Sequence, residues 1–256
     1  MSTPAVPAPP APLLPAVRLD RDWVSTFETY PFNLPAIRTL GTLPLHPRVT
    51  YFIGENGSGK STLLEAIAVA LGLNPEGGSH GIRFTTRASH SVLHAYLDLG
   101  LDGRRPPDGF FLRAESFFNL ATEVDRLDRE NAYGRSVLDA YGGRSLHEQS
   151  HGEAFFAIFE KRLNRRGVFL LDEPEAALSP TRQLGLLRLV HRMVRGGAQL
   201  IMATHSPVLL AYPDSWIYEF GPHGIARTGY DASINVQMMR EFLARKDEIV
   251  AALLDG

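Results

Sequence analysis

Between Tyr51 and Leu64 the chain reads Tyr-Phe-Ile-Gly-Glu-Asn-Gly-Ser-Gly-Lys-Ser-Thr-Leu-Leu, and no other stretch limits its fold so tightly. An apolar strand over Val49–Ile53 runs into a glycine-rich turn and then into a helix. Gly54, Gly59, Lys60 and Ser61 fill the fixed positions of the P-loop pattern G-x-x-x-x-G-K-[ST]. Gly54, Gly57 and Gly59 let the backbone curl, so that the amides of the turn, with Glu55, Asn56 and Ser58 between them, face inward at phosphate oxygens. The helix that starts at Lys60-Ser61-Thr62 adds the positive end of its dipole. Lys60 would neutralise the β- and γ-phosphates of ATP, and the Ser61 hydroxyl would ligate Mg²⁺. A glycine-rich turn that binds nothing needs neither the apolar strand before it nor Leu63-Leu64-Glu65-Ala66-Ile67-Ala68 after it. The flanks favour nucleotide binding.

The rest of the chain alternates strands with helices. Strands are expected at Ser91–Leu99, Phe110–Arg113, Val168–Leu171, Gln199–Ala203 and Trp216–Phe220. Helices are expected at Ser61–Leu71, Glu115–Tyr141, Gly152–Leu163 and Thr181–Arg195, and over Ile234–Leu254, where the pattern can split in two. After a P-loop this order implies an α/β fold with a doubly wound, mainly parallel sheet. Val17–Pro47 is punctuated by Pro31, Pro35 and Gly41-Thr42. It reads as two or three short strands, at Trp23–Phe27, Tyr30–Phe32 and Ala36–Leu40, forming an N-terminal antiparallel β subdomain. Gly-rich Asn74–Arg87 reads as a loop. Residues 1–16, rich in Pro and Ala, read as a disordered, partly polyproline-like tail, and 231–256 as a helical tail after an ATPase domain at 17–230.

Composition narrows the chemistry. With no cysteine in 256 residues, disulfides, thiolate zinc sites and thiol catalysis are excluded, and a cytoplasmic location is allowed. The net charge of −2 gives no overall pull toward nucleic acid or an anionic membrane. No apolar run approaches the roughly 20 residues of a membrane span, so no direct membrane insertion is expected.

Val168-Phe169-Leu170-Leu171-Asp172-Glu173-Pro174 sets two carboxylates at the end of a buried strand. Such a strand delivers Asp172 to the sheet edge beside the P-loop, where it can hold Mg²⁺, and leaves Glu173 to act as general base toward water. An acidic turn after a strand is ordinary by itself. Downstream of a P-loop it reads as a catalytic pair.

Together the P-loop, Leu-Leu-Asp-Glu-Pro and Ala203-Thr204-His205-Ser206 resemble the ABC-type ATPase superfamily. That superfamily includes transporter nucleotide-binding domains and the SMC-like and RecF-like DNA-maintenance ATPases. More narrowly, the chain looks like the small stand-alone ATPases labelled AAA family. The resemblance covers about Tyr30–Phe220. It implies a switch role at the γ-phosphate for His205 and a D-loop at Glu175–Ser179 along a dimer interface. It also implies a degenerate signature at Ser150-His151-Gly152-Glu153, whose Ser150 and Gly152 would meet ATP held by the other subunit. As an ordinary capping box, Ser150 and Glu153 would do no more than start a helix. Glu115 takes the place of the Q-loop glutamine, a departure from the family pattern, and would reach Mg²⁺ or its water. Tyr30 or Phe32 would stack on adenine, unless either is core. The span from about 115 to 165 would form a small helical subdomain.

The resemblance thus implies a homodimer that closes head to tail on two ATP-Mg. What hydrolysis drives is left with three readings. The first is a soluble ATPase of DNA maintenance or defence, with a nucleic-acid or protein partner. The others are the energy subunit of a transporter with a separate permease, and a slow ATP-dependent switch. The degenerate signature and the Glu at the Q-loop tilt the reading to the first. Arg104-Arg105 and Arg162, Arg165 and Arg166 could touch phosphate backbones, though scattered solvated arginines explain them as simply.

Overall fold

The structure, a computed structural model, describes residues 11–75, 77–79, 91–114, 117–130, 138, 156 and 165–254. Its frame is a seven-stranded sheet. Strands β3 (Val49–Gly54), β6 (Gly109–Arg113), β7 (Val168–Asp172), β8 (Gln199–Ala203) and β9 (Trp216–Gly221) lie parallel in the order β9-β3-β8-β7-β6. β10 (Gly224–Thr228) adds antiparallel to β9, and the two-residue β4 (Gly78–Ser79) antiparallel to β6. Every residue of β3, β7 and β8 is buried, because helices cover both faces of the parallel core.

Side chains of the strands alternate between two cores. Phe52, Val168, Leu170 and Ile201 meet Leu63, Leu64 and Ile67 of α2 (Lys60–Ala70) on one face. Tyr51, Ile53, Phe169, Leu171, Leu200 and Met202 meet Leu186, Leu189 and Val190 of α4 (Pro180–Arg195) on the other. The second face also takes Ala121 and Val124 of α3 (Phe117–Glu130), Leu209 of α5 (Pro207–Leu210) and Val236 of α6 (Ile234–Ala244); α7 (Lys246–Leu254) follows α6. Each fully buried Leu, Ile or Phe contributes roughly 2 kcal/mol, so the sheet is held mainly by these two layers.

A separate antiparallel sheet, β2-β1-β5, joins Ala16–Leu19 (β1), Thr42–Pro44 (β2) and Leu97–Asp98 (β5). It is the expected N-terminal subdomain, built from other residues than expected. The Trp23–Phe27 segment holds no strand; a 3-10 turn at Arg21–Trp23 leaves Trp23 exposed. Tyr30–Phe32 is turn, and Ala36–Leu40 falls in α1 (Pro35–Arg38), where Pro35 at the first helical position presets φ and Ala36 and Ile37 are buried. Ser91–Leu99 is mostly a 3-10 helix, Val92–Tyr96, because the Ser91 hydroxyl caps it by accepting from Leu93 N. Only Leu97–Asp98 remains strand.

Leu14 and Ala16, placed in the expected tail, belong to the fold. Leu14 is fully buried, and Gln199 holds its backbone from both sides: Oε1 accepts from Leu14 N at 2.7 Å and Nε2 donates to Leu14 O at 2.8 Å. The expected Asn74–Arg87 loop contributes β4 to the sheet edge, and β10 and α5 had no counterpart in the sequence reading. The C-terminal helix does divide, at Arg245. Of the span expected to form a helical subdomain, α3 is described; the expected Gly152–Leu163 helix lies outside the described residues apart from Phe156.

Gly54 fixes the end of β3. It has φ +134°, and a Cβ there would sit 2.2 Å from the Phe220 carbonyl oxygen of β9. Gly57, at φ +78°, has nothing within 4 Å of such a Cβ. Gly54→Ala is therefore expected to lower unfolding free energy by about 3 kcal/mol or more, and Gly57→Ala by only the left-handed cost of about 1 kcal/mol. Urea unfolding of the two variants checks the order.

Candidate nucleotide site

Register brings the sequence motifs to one edge. Asp172 pairs with Ala203 and with Arg113, Phe52 pairs with Ala203, and Gly54 pairs with Phe220. The turn after β3, the acidic pair after β7 and Thr204-His205 after β8 therefore emerge side by side, at the C-terminal ends of the parallel strands.

Gly59, left-handed at φ +101°, caps α2. Lys60 follows and is 4% exposed; its ammonium donates to Gly54 O at 2.7 Å and Glu55 O at 2.8 Å. Two carbonyls of the turn thus take two of its three N–H bonds. Burial pulls the Lys60 pKa below its ordinary value, and the carboxylates of Glu173, Asp172, Glu55 and Glu175 pull against that shift. Glu55, Asn56 and Gly57 are exposed, while Ser58 Oγ is buried without a hydrogen-bond partner.

Ser61 Oγ donates to Asp172 Oδ1 at 2.9 Å. Two hard oxygens so close, on otherwise unrelated elements, are the donor type that Mg²⁺ takes in ones and twos beside phosphates. Among the described residues no group of three or more His, Asp or Glu could hold a metal alone. On the far side of Asp172, Arg113 Nε lies 3.4 Å from Oδ2, and Arg113 NH1 reaches Glu65 Oε2 at 2.9 Å. Glu65 Oε1 in turn accepts from Ser91 N at 3.2 Å. Arg113 and Glu65 are not among the site residues expected from the sequence. The available signals were the place of Arg113 at the end of β6 and the spacing of Glu65 one turn after Ser61.

Glu173 leaves the strand in a left-handed conformation, φ 50° and ψ 51°, rare for a side chain this size. Its amide still donates to Ala203 O at 2.9 Å, so the sheet holds the turn in place. Glu173 Oε1 lies 3.7 Å from His205 Nε2, beyond hydrogen-bond reach, and that nitrogen is buried with no hydrogen-bond partner. The His205 peptide is held at both ends. Its N–H donates to Glu175 Oε1 at 2.5 Å, and its carbonyl accepts from Asn235 Nδ2 at 3.1 Å. Burial pushes the Glu175 carboxyl above the usual carboxylate range, and the N–H of His205 moderates the shift.

Of the two aromatics considered for adenine, Phe32 is core, edge-on to Phe27 and Tyr96. Tyr30 is exposed, with its hydroxyl 3.3 Å from Thr62 Oγ1 in the first turn of α2. Glu115, Ser150 and Gly152 lie outside the described residues.

Comparison with known proteins bears on the family. Residues 95–211 match the family described as "AAA domain, putative AbiEii toxin, Type IV TA system", and residues 34–98 the family described as "AAA domain". The thiamine import ATP-binding protein ThiQ of Ruegeria sp. (strain TM1040) is 31% identical over 172 residues, covering 60% of this chain and 69% of that protein. The chain belongs to the ABC-type P-loop ATPases. The hemin import ATP-binding protein HmuV of Myxococcus xanthus (29% identical) spans 68% of the chain and 72% of its own length. For the energy-coupling factor transporter ATP-binding protein EcfA1 of Methanospirillum hungatei JF-1 (28%) the shares are 80% and 77%. Among solved structures, the ATP-binding cassette MJ1267 of an ABC transporter overlays at TM-score 0.45, with 16% identity over 75% of this chain and 85% of that one. An SMC head bound to the C-winged helix domain of ScpA overlays at 0.41, with 14% identity over 73% and 92%. No helix among the described residues is long and apolar enough to cross a membrane.

Proposed function

We propose that this ABC-type ATPase binds ATP on the turn Gly54–Gly59 and hydrolyses it with the residues that β7 and β8 deliver. The observation that carries the reading is the 2.9 Å contact between Ser61 Oγ and Asp172 Oδ1, which joins the chain neighbours of Lys60 and Glu173. The amides of Gly54 through Thr62 cradle the phosphates, and the spare N–H of Lys60 meets the β- and γ-oxygens. Ser61 and Asp172 would hold Mg²⁺, which when bound spreads the phosphate charge. Glu115 would contact the same ion or its water. Glu173 accepts the proton of the attacking water as its oxygen bonds to the γ-phosphorus, and the bond to the ADP oxygen breaks. His205 Nε2, buried and unpartnered, donates to a γ-oxygen. Tyr30 stacks on adenine from the turn beside the first turn of α2.

Two copies would close head to tail, with Ser150 and Gly152 of each meeting ATP on the other. The family resemblance supports that part of the reading. The purified chain is expected to release phosphate from ATP with Mg²⁺ and to stop in EDTA. Asp172→Asn should reduce the rate by about 100-fold. Release that EDTA leaves untouched would refute the site.

For what the cycle drives, two readings have support. Residues 95–211 match a family described in terms of toxin–antitoxin systems, which favours a cytoplasmic ATPase of defence or DNA maintenance. The names of the relatives favour the energy subunit of an importer with its permease on another chain. Hydrolysis stimulated by DNA supports the first, and co-purification with a membrane protein supports the second.

A further inference from the structure

We propose that Glu175 and Asn235 are positioning residues that clamp the His205 peptide from both sides, making α6 a working part of the site. This rests on the ATPase reading above. The two side chains come from distant parts of the chain. Glu175 stands in the 3-10 turn Pro174–Ala177 directly after Asp172-Glu173, while Asn235 opens α6, 30 residues beyond His205. One takes the His205 N–H at 2.5 Å and the other its carbonyl at 3.1 Å, so the two peptide planes that meet at the His205 Cα are each held, and with them the direction of the ring.

The anchors are themselves fixed. Glu175 follows the left-handed turn that the sheet holds through Glu173 N and Ala203 O. Asn235 sits between Ser233, fully buried with its hydroxyl on Tyr230 O at 2.7 Å, and Val236, buried in the core. The clamp also differs from an ordinary structural cap in what it leaves over. Glu175 Oε2 and Asn235 Oδ1 are both buried without a hydrogen-bond partner, as is His205 Nε2. Buried polar atoms are almost always paired, and three unpaired ones around one histidine mark a site awaiting a donor or acceptor that comes with the reaction. Any displacement of α6 changes the donor on the His205 carbonyl and thus the aim of Nε2.

The test measures steady-state Mg-ATP hydrolysis by the full chain. Asn235→Asp keeps the shape and loses the donor; it is expected to lower kcat about tenfold with KM for ATP unchanged. In a His205→Ala background the same change should have no further effect, whereas a residue that only supports the fold would lower the rate again. Glu175→Ala should lose a similar factor, and Glu175→Gln, which keeps an acceptor, should recover most of it. Faster hydrogen exchange at the His205 amide in Glu175→Ala reads the clamp without turnover. Parental kcat in both Asn235→Asp and Glu175→Ala, or losses that multiply fully with His205→Ala, would overturn the proposal. A parental chain that releases no phosphate would instead overturn the ATPase reading beneath it.

Discussion

Glu173→Gln is expected to lower ATP hydrolysis by at least about 100-fold while ATP stays bound, and to leave the protein as an ATP-loaded dimer. The magnitude follows from the role. A positioned general base contributes about 10²–10⁴ to a rate, and a carboxamide of the same shape cannot take the proton. Binding should survive because the turn amides and the Ser61–Asp172 pair are unchanged, and because the left-handed backbone at φ 50° is available to Gln on the same terms. If ATP is the cement between two copies, a variant that binds but does not cleave should elute with Mg-ATP at twice the 28.3 kDa monomer. With ADP it should return to monomer. Hydrolysis at the parental rate would remove Glu173 from the mechanism. Lost hydrolysis with a monomer in Mg-ATP would keep Glu173 and sink the head-to-tail dimer.

That test is aimed at residues the sequence displays openly, and there is a physical reason why it does. β3, β7 and β8 are buried throughout, and apolar but for Thr50, Asp172 and Gln199, because both faces of a parallel core strand are covered, so they stand out by residue type. The residues that end them, Gly54, Asp172 and Ala203, then lie at one edge whatever the loops do. Lys60, Ser61, Asp172, Glu173 and His205 are all within a few residues of such an end. Alternation misled where local chemistry competes with it. Pro35 starts a helix over Ala36-Ile37, and the Ser91 hydroxyl caps a 3-10 turn over a stretch that alternates well enough for a strand.

Long-range side-chain partners are not legible at all. Leu14 lies 185 residues from the Gln199 side chain that takes up its backbone, and Asn235 30 residues from the peptide it holds. Arg113 reaches Asp172 only because β6 and β7 pair in one particular register. Each of these contacts depends on the assembled sheet, and no pattern within a window of residues encodes it.

Lys60 separates binding from folding most sharply. Lys60→Met should weaken ATP by about 10- to 100-fold, since a hydrogen bond from a cation to a charged oxygen contributes roughly 1.5–3 kcal/mol and Lys60 has one N–H to spare for phosphate. The nucleotide-free fold should respond in another way. The folded-state pKa of Lys60 is lowered by burial, so the folded chain holds that proton less tightly than the unfolded one. The charge therefore opposes folding at pH 7. The cost fades only as pH rises from the lowered pKa toward the ordinary value near 10.5. Methionine removes it while filling similar space. Against that gain, Gly54 O and Glu55 O lose their donor, and Glu55 is exposed enough for water to replace it. The two effects nearly cancel, within about 1 kcal/mol. In thermal scans the variant without nucleotide should thus melt close to the parent, or slightly above it at pH 7. The rise in Tm that Mg-ATP gives the parent should be smaller at the same ATP concentration, and absent at concentrations well below the variant's Kd. An equal rise in both proteins would mean that ATP is held elsewhere. A Lys60→Met protein several degrees less stable without nucleotide would mean that the ammonium is a structural tie between the two carbonyls, and that the turn is not preformed for phosphate.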